Sequence, residues 1–223
     1  MVRSMLRNTS WTRFQTFGVC LLYSAFLSAQ AEVQTQHIFD SSVAIGPVEP
    51  LWHFRVRTTP EGGGVAQIRT GPIFNIDVRE RITVIAGYYY TRAKQPGSWS
   101  TTHRSFGGVE GVLWNRRVEI DGRSLLERHT RINGPDFTRF RNRVRFTPPG
   151  NTAPYAGVEV FVDAGGLRSV RYSAGLRRTI GGNLSVDLGY FFEDGRSRAV
   201  ADRHMVGTTI HWRDRSTRID TDP

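Results

Sequence analysis

The C-terminal part of the chain alternates apolar and polar residues with a period of two. The alternation is clearest in residues 183–193, where the apolar positions are Leu184, Val186, Leu188, Tyr190 and Phe192. Residues 170–177 and 205–212 alternate in the same way. Strict alternation predicts β-strands with one apolar face and one polar face. A strand of about ten residues tilted by about 45° covers roughly 23 Å, which matches the apolar band of an outer-membrane β-barrel.

The same period of two recurs upstream of these three segments. Further strands are predicted over residues 51–58, 65–78, 82–92, 102–114, 124–131, 139–146 and 155–163. Pro72 cannot donate a ladder hydrogen bond, so a bulge or break is expected near Gly71 and Pro72. The faces of 102–114 and 124–131 are mixed, and Arg128 lies on the wrong side in either register. About ten strands are predicted, which agrees with the even strand numbers of bacterial membrane barrels. About eight or about twelve strands remain possible, because two of the ten segments have weak patterns.

The predicted fold is therefore all-β: a single antiparallel up-and-down transmembrane β-barrel over residues 51–212. Its connections alternate between a tight turn at residues 179–183 and a longer polar loop at residues 194–203. Short turns at one end and longer loops at the other are typical of a membrane barrel. Residues 32–50 are expected to be a periplasmic lead-in and residues 213–223 a polar tail. Both ends of the barrel would then lie on the periplasmic side.

Residues 1–31 have the pattern of a secretory signal peptide. Arg3, Arg7 and Arg13 give a basic start, residues 17–27 are apolar, and Ala29 and Ala31 form a small-x-small cleavage site. The alternative is an N-terminal membrane anchor, but the apolar run is shorter than the roughly 20 residues that a spanning helix needs. The pattern predicts export to the outer membrane of a Gram-negative-type bacterium.

Charge and cysteine content limit the kinds of site that the mature chain can contain. The chain carries 30 basic and 20 acidic residues, a formal charge of +10. Removing residues 1–31 takes away three arginines and no acid, so the mature charge is 27 − 20 = +7. Lys94 is the only lysine, and arginine is the residue that forms forked pairs with carboxylates, so paired or confined charge is expected. The single cysteine, Cys20, lies in the signal, which excludes a disulfide or a thiolate metal site in the mature chain.

Alternation alone does not show which face of the sheet contacts water. A soluble periplasmic barrel such as a lipocalin would point its apolar face inward, whereas a membrane barrel would point its arginines inward. Aromatic residues near the ends of the apolar rows favour the membrane arrangement. They are Trp52, Tyr88, Tyr90, Tyr190, Phe192 and Trp212. The soluble ligand-binding barrel remains the alternative.

Two further features favour a membrane barrel. The last strand resembles the signal that the outer-membrane insertion machinery reads, through Gly207, Ile210 and Trp212. Glycines also occupy the polar faces of the last four strands, where they would leave room for long arginines in a narrow interior. These glycines are Gly157, Gly175, Gly189 and Gly207. Outer-membrane lipid and lipopolysaccharide are the partners expected of such a barrel.

Short motifs in the second half of the chain support a family resemblance. They are residues 159–161 (Glu-Val-Phe), residues 171–176 (Arg-Tyr-Ser-Ala-Gly-Leu), residues 184–190 with their Asp-Leu-Gly-Tyr ending, and the arginine-rich residues 139–145. The chain resembles the domain of unknown function 2490 family over roughly residues 51–212. The resemblance implies an uncharacterised bacterial outer-membrane β-barrel. It implies no catalytic or binding role, because the family has no established activity.

The strongest candidate for chemistry is the row Arg139, Arg141, Arg143 and Arg145, whose members lie about 7 Å apart on one face of a strand. One reading is a plug, in which the row pairs with inward acids in a small structural barrel or narrow channel, because buried unpaired charge is costly. The other is an anion-selective pore. The candidate interior charge network is Arg139, Arg141, Arg143, Arg145, Glu159, Arg171, Arg177, Asp187 and Glu193. Rim arginines such as Arg168, Arg178 and Arg203 could contact lipopolysaccharide phosphates.

Other chemistries find less support. An outer-membrane hydrolase would need a nucleophile, a base and an orienting group, and the sequence offers only His211 near Ser173 or Ser185 as a suggestion. The remaining histidines considered are His53, His103, His129 and His204. Residues 62–64 are three glycines without the following Lys-Ser/Thr of a phosphate-binding loop, so nucleotide binding is disfavoured. No enzyme activity, cofactor, metal or nucleic-acid partner is expected.

Overall fold

The computed structural model describes residues 33–59, 64–197 and 201–214, and these residues form β-strands joined by short connections. The strands are β1 (Val33–Val43), β2 (Val48–Thr59), β3 (Gly64–Arg79), β4 (Ile82–Gln95), β5 (Ser98–Asn115), β6 (Glu119–Arg131), β7 (Phe137–Thr147), β8 (Thr152–Asp163), β9 (Gly166–Ile180), β10 (Leu184–Gly195) and β11 (Arg203–Asp214). None of the described ranges contains a helix long and apolar enough to cross a membrane.

The eleven strands form one closed barrel in which each strand pairs with its neighbours in sequence. All sequential pairs are antiparallel, as predicted. The closing pair is different, because β1 and β11 run parallel, from Val33 opposite His204 to Val43 opposite Asp214. An up-and-down barrel with an odd strand number must close with two strands that point the same way. The predicted even number and the strictly antiparallel pairing were therefore wrong.

The additional strand is β1, which lies where a periplasmic lead-in was expected. The ten predicted strands correspond to β2–β11. Strand β1 was missed because it lacks a clear apolar face: Thr35 and Ser41 share its outer side with Phe39. Gly46, at a φ of 57°, makes the turn into β2. Strand β11 also extends to Asp214, so the polar tail begins later than expected. The predicted signal peptide and residues 215–223 lie outside the described residues.

The odd strand number also separates the two chain ends of the barrel. One end, here the turn rim, carries the connections at residues 44–47, 80–81, 116–118, 148–151 and 181–183 together with the end of β11. The opposite end, here the loop rim, carries residues 96–97, 132–136 and 164–165, the ends of β2 and β10, and the starts of β1, β3 and β11. The expectation that both ends of the barrel lie on one side was wrong.

The barrel is apolar outside and polar inside. Among the described residues, eight apolar but fourteen polar or charged side chains are buried. Large apolar side chains such as Trp52, Leu126 and Leu188 are instead more than half exposed on the outer face. A protein that folds in water has the opposite distribution. Burial here follows the period of two, since β8 alternates between buried and outward residues along nearly its whole length.

The sequences of β5 and β6 show no clean apolar face because some of their apolar side chains point into the barrel. Phe106 and Leu125 join Ile85 and Tyr89 in a small buried cluster. Small residues such as Gly107 take the outer positions beside them. Arg128 does point outward, close to the loop rim, where its guanidinium lies 3.0 Å from a carboxylate oxygen of Asp136.

The inward glycines of the last strands make room for aromatic rings. Gly175, Gly189 and Gly207 are directly opposite one another across β9, β10 and β11. Tyr155, which pairs with Gly175, lies over Gly175 and Gly189, and the ring of Phe191 lies against Gly207. The expectation that these glycines accommodate arginines was wrong for this row, because aromatic rings fill the space above it.

The expected irregularity at Gly71 and Pro72 takes the form of a gap in one ladder. Strand β3 pairs with β4 at Thr70 opposite Tyr90 and again at Ile73 opposite Gly87, with no pairs between them and no change of register. Gly71 has a φ of 154°, and a Cβ there would overlap the carbonyl oxygen of Tyr88. Glycine is required here because no side chain fits between the two strands.

We expect Gly71→Ala to lower the free energy of unfolding by about 2 kcal/mol or more, because the added methyl group must displace backbone and the φ is unfavourable for alanine. The urea midpoint of the purified barrel, followed by tryptophan fluorescence, measures the change. Gly182→Ala is the matched control, since a Cβ there meets nothing within 4 Å. Equal midpoints for the two variants would contradict the close approach of β3 and β4.

Candidate functional site: the charged interior

The arginine row of β7 faces the inside of the barrel. Phe140, Val144 and Phe146 occupy the alternate positions and are exposed on the outer face. Period-two geometry then points the four arginines inward. Each of the four arginines, Arg139, Arg141, Arg143 and Arg145, has a carboxylate partner inside the barrel.

Glu127 of β6 is the centre of the interior network. Its side chain is fully buried, at 0% exposure. The Nη2 of Arg139 and the Nη1 of Arg141 each lie 2.6 Å from its carboxylate oxygens, and the Nη1 of Arg104 lies 3.3 Å away. His129 also contacts it, at 3.1 Å. Three arginines from two strands, β5 and β7, therefore share this one carboxylate with the histidine.

A second carboxylate, Glu159 of β8, continues the network around the wall. Arg141 bridges the two acids, because its Nη2 lies 2.6 Å from Glu159. Arg123 and Arg171 approach Glu159 from the two sides, at 3.5 and 3.4 Å. Arg171 in turn lies 2.7 Å from Glu193 of β10. The network thus runs without interruption from β5 to β10.

Phe161 packs in the middle of this network. Its side chain is among the most buried of the described residues, at 2% exposure. The guanidinium carbons of Arg139, Arg141 and Arg171 lie 5.0, 5.2 and 4.9 Å from its ring centroid. A cation near an aromatic face is stabilised by the ring quadrupole, and more so where water is excluded. The ring therefore fixes the positions of the arginines that the carboxylates neutralise.

Two smaller groups lie toward the turn rim. Asp121 accepts from Arg143 at 2.8 Å and from Arg145 at 2.9 Å, and Arg143 also reaches Glu110 at 2.9 Å. On the other side of the barrel, Arg177 donates two hydrogen bonds of 2.7 Å to Asp187. Each predicted member of the charge network therefore has a partner inside the barrel.

Several interior charges were absent from the sequence-based network. The main ones are Glu127, Asp121, Glu110, Arg104 and Arg123. All lie in residues 102–131, whose faces could not be assigned. Asp121, Arg123, Glu127 and His129 do fall in one phase of two, a signal that could have identified them. Leu125 obscures it by pointing inward with them.

The histidines divide between the two faces. His103 and His204 are on the outer side, each hydrogen-bonded to a tyrosine, Tyr88 and Tyr190 respectively. The inward His211 contacts two carboxylates: Asp40 at 3.2 Å and Asp187 at 3.8 Å.

The inward His53 is also bound to Asp40, at 2.7 Å.

Within the described ranges, no hydrogen bond joins His211 to Ser173 or Ser185, and Ser173 donates to the carbonyl of Gly157 instead. The described residues also contain no group of three or more His, Cys, Asp or Glu side chains arranged to hold a metal ion.

The three suggested rim arginines do not lie together. Arg168 pairs with Asp163 at 2.9 Å near the loop rim, and Arg203 begins β11 at the same end. Arg178 projects from the outer face close to the turn rim. The three arginines are therefore divided between the two rims of the barrel.

The interior keeps an open space of about 390 Å³ beside the network. Glu127, Glu159, Arg141 and Arg143 line one wall of it, while Arg55 and Arg69 of β2 and β3 line another. The interior is therefore densely charged but not filled. It can hold water or a small polar solute.

Glu127→Gln should lower the free energy of unfolding by about 3–5 kcal/mol, because a neutral amide leaves Arg104, Arg139 and Arg141 buried with too little negative charge. Chemical unfolding in detergent micelles measures this loss. Asp136→Asn removes the exposed partner of Arg128 and should cost less than about 1 kcal/mol. The central role of Glu127 would be refuted by equal losses in the two variants.

Comparisons with known proteins assign no activity to this chain. An uncharacterised protein of Methylorubrum extorquens is 23% identical over 209 residues, which cover 84% of this chain and 91% of that protein. Among solved structures, an anion-selective porin from Comamonas acidovorans superposes with a TM-score of 0.38 at 10% identity. The matched region covers 74% of this chain and 52% of the porin chain, so this chain spans about half of that porin. The family described as "Protein of unknown function (DUF2490)" matches residues 48–203, and the chain belongs to this family.

Proposed function

We propose that the protein is an outer-membrane β-barrel whose salt-bridged interior makes it a structural barrel or a narrow channel rather than an open pore. The single observation that carries this proposal is the inverted distribution of polarity. The buried residues are mostly polar or charged, while Trp52, Leu126 and Leu188 are more than half exposed. An apolar outer face of this extent is stable only against lipid or another apolar surface.

The outer aromatic residues support a membrane position. Trp52, Trp114 and Trp212 are on the outer face toward the turn rim, and Tyr90 and Phe192 are toward the loop rim. On β10 and β11 the two rows are eight residues apart, which corresponds to roughly 19 Å along the barrel axis at a tilt of about 45°. Amphipathic rings at both edges of an apolar band are typical of the two membrane–water interfaces.

The closed interior rests on the continuity of the ion-pair network. Glu127 and Glu159 hold arginines from β5, β6, β7 and β9 against one wall. Opening a wide path would break these pairs, and removing one partner of a buried pair is costly. The charge that remains uncompensated is positive, so any path that stays open would favour anions. An anion-selective narrow channel is therefore the second candidate.

The proposal includes two partners. Lipid and lipopolysaccharide would surround the apolar outer face. The outer-membrane insertion machinery would recognise β11, where Ile210 and Trp212 project outward and Gly207 faces the interior. Strand β11 closes the barrel against β1, which makes it the natural last strand to be captured before closure.

Cell fractionation tests the location. We expect the protein in the outer-membrane fraction, with faster gel mobility when unheated than after boiling, because a closed barrel resists unfolding by detergent. A known periplasmic protein and a known outer-membrane barrel in the same cells serve as controls. Recovery in the soluble periplasmic fraction would contradict the membrane proposal and favour a soluble barrel.

Planar-bilayer recording tests the plug. Wild-type protein should show little conductance, and Arg141→Glu should raise it several-fold, because three carboxylates would then repel one another at the bridge between Glu127 and Glu159. Arg141→Gln, which only removes the bridge, should have a smaller effect in the same direction. Arg178→Gln on the outer face is the matched control. A wild-type conductance as large as that of the Arg141 variants would refute the plug and favour the anion-selective channel.

A further inference from the structure

Among the described residues, one part of the interior has positive charge with no carboxylate in ion-pair contact with it. Arg55 on β2 and Arg69 on β3 are direct cross-strand partners, and both face the inside. Like charges directly opposite in a β-ladder repel each other. Arg57, two residues further along the inner face of β2, adds a third positive charge.

The polar partners of these three arginines are all neutral. Arg55 donates to the side-chain oxygen of Gln67. Arg57 donates to Gln36 at 3.2 Å, and Arg69 donates to the hydroxyl of Thr91 at 3.3 Å. No carboxylate of the described residues lies within 4.0 Å of any of the three guanidinium groups. On the opposite wall, the arginines have carboxylate partners, Glu127 and Glu159.

These charges are also buried. Arg55 is 7% exposed and Arg57 is 8% exposed. The Nε atoms of both are buried without a hydrogen-bond partner. A guanidinium group keeps its proton under all ordinary conditions, so these residues cannot become neutral as a buried lysine can. Their charge therefore calls for an external counterion.

The space for such a counterion exists beside them. Arg55 and Arg69 line the cavity of about 390 Å³. Arg104 reaches the same space, and its guanidinium carbon lies 4.5 Å from the ring centroid of Tyr89, with that of Arg69 at 5.3 Å. The ring thus holds two guanidinium groups beside the cavity. Such an arrangement offers several N–H donors to one anion.

We propose that Arg55 and Arg69 form a binding site for a small oxyanion inside the barrel, and that Arg57 adds positive charge beside it. The ligand is a phosphate or carboxylate group, either as a free ion or as the end of a small molecule. Forked, charge-assisted hydrogen bonds from guanidinium groups recognise the paired oxygens of such groups. The site is independent of whether the interior conducts or is plugged, and of the membrane location.

Calorimetric titration of the whole purified protein in detergent tests the site. Inorganic phosphate and acetate are titrated separately, each against sodium chloride at equal ionic strength. We expect heat of binding from at least one oxyanion and none from chloride. A stronger response to phosphate identifies a phosphate group as the ligand, and a stronger response to acetate identifies a carboxylate. No binding by either, or equal effects of chloride, would overturn the proposal.

Matched variants locate the binding. Arg55→Gln and Arg69→Gln should each weaken oxyanion affinity by about tenfold or more, since each removes charged hydrogen-bond donors from the site. Arg168→Gln removes an arginine that Asp163 already neutralises, and its affinity should stay at the wild-type value. An equal loss in Arg168→Gln would overturn the assignment to this wall. If Arg55→Gln does not fold, Arg55→Lys keeps the charge but loses the fork and should still weaken binding.

Discussion

Neutralising arginine inside the barrel is the constraint on which the structure depends. An apolar outer face requires the alternate positions of every strand to point inward. Many of those positions are arginines, which stay protonated and therefore positively charged. Glu127 and Glu159 meet this requirement on one wall by sharing arginines from four strands. Because each acid has several partners, the strands β5 to β10 are held in one register by charge as well as by backbone hydrogen bonds.

The opposite wall shows the same constraint in a different form. Strands β2 and β3 bring Arg55 and Arg69 together, and within the described part of the chain the side chains that accept hydrogen bonds from Arg55 and its neighbour Arg57 are glutamines. Aromatic rings reduce the cost of this arrangement, since Tyr89 faces the cations of β3 and β5 as Phe161 faces those of β7. The interior is therefore divided into a neutralised side and a cationic side, and the cavity lies between them.

Closure with eleven strands adds a geometric consequence. The parallel pairing of β1 with β11 places the two chain ends of the barrel at opposite rims. The start of β1 and the end of β11 would therefore face different compartments if the barrel spanned a membrane. Among membrane barrels an odd strand number is unusual but has precedent in mitochondria.

The sequence by itself determined that β2–β11 are strands, the two alternating faces of most of them and the arginine row of β7, because period two maps directly onto the two sides of a sheet. It did not assign the faces of β5 and β6. It did not reveal β1, whose outer face mixes Thr35 and Ser41 with Phe39. It also did not reveal Glu127 as the central acid, because the apolar Leu125 lies on the same inward face of β6 and breaks the pattern of polar residues there. Only the tertiary structure decided the partners, since ion pairs between strands depend on register and on barrel closure. For the same reason only the fold shows that Arg55 and Arg69 lie opposite each other with no described carboxylate in ion-pair contact, since the two residues are separated in sequence and are brought together by the pairing of β2 with β3.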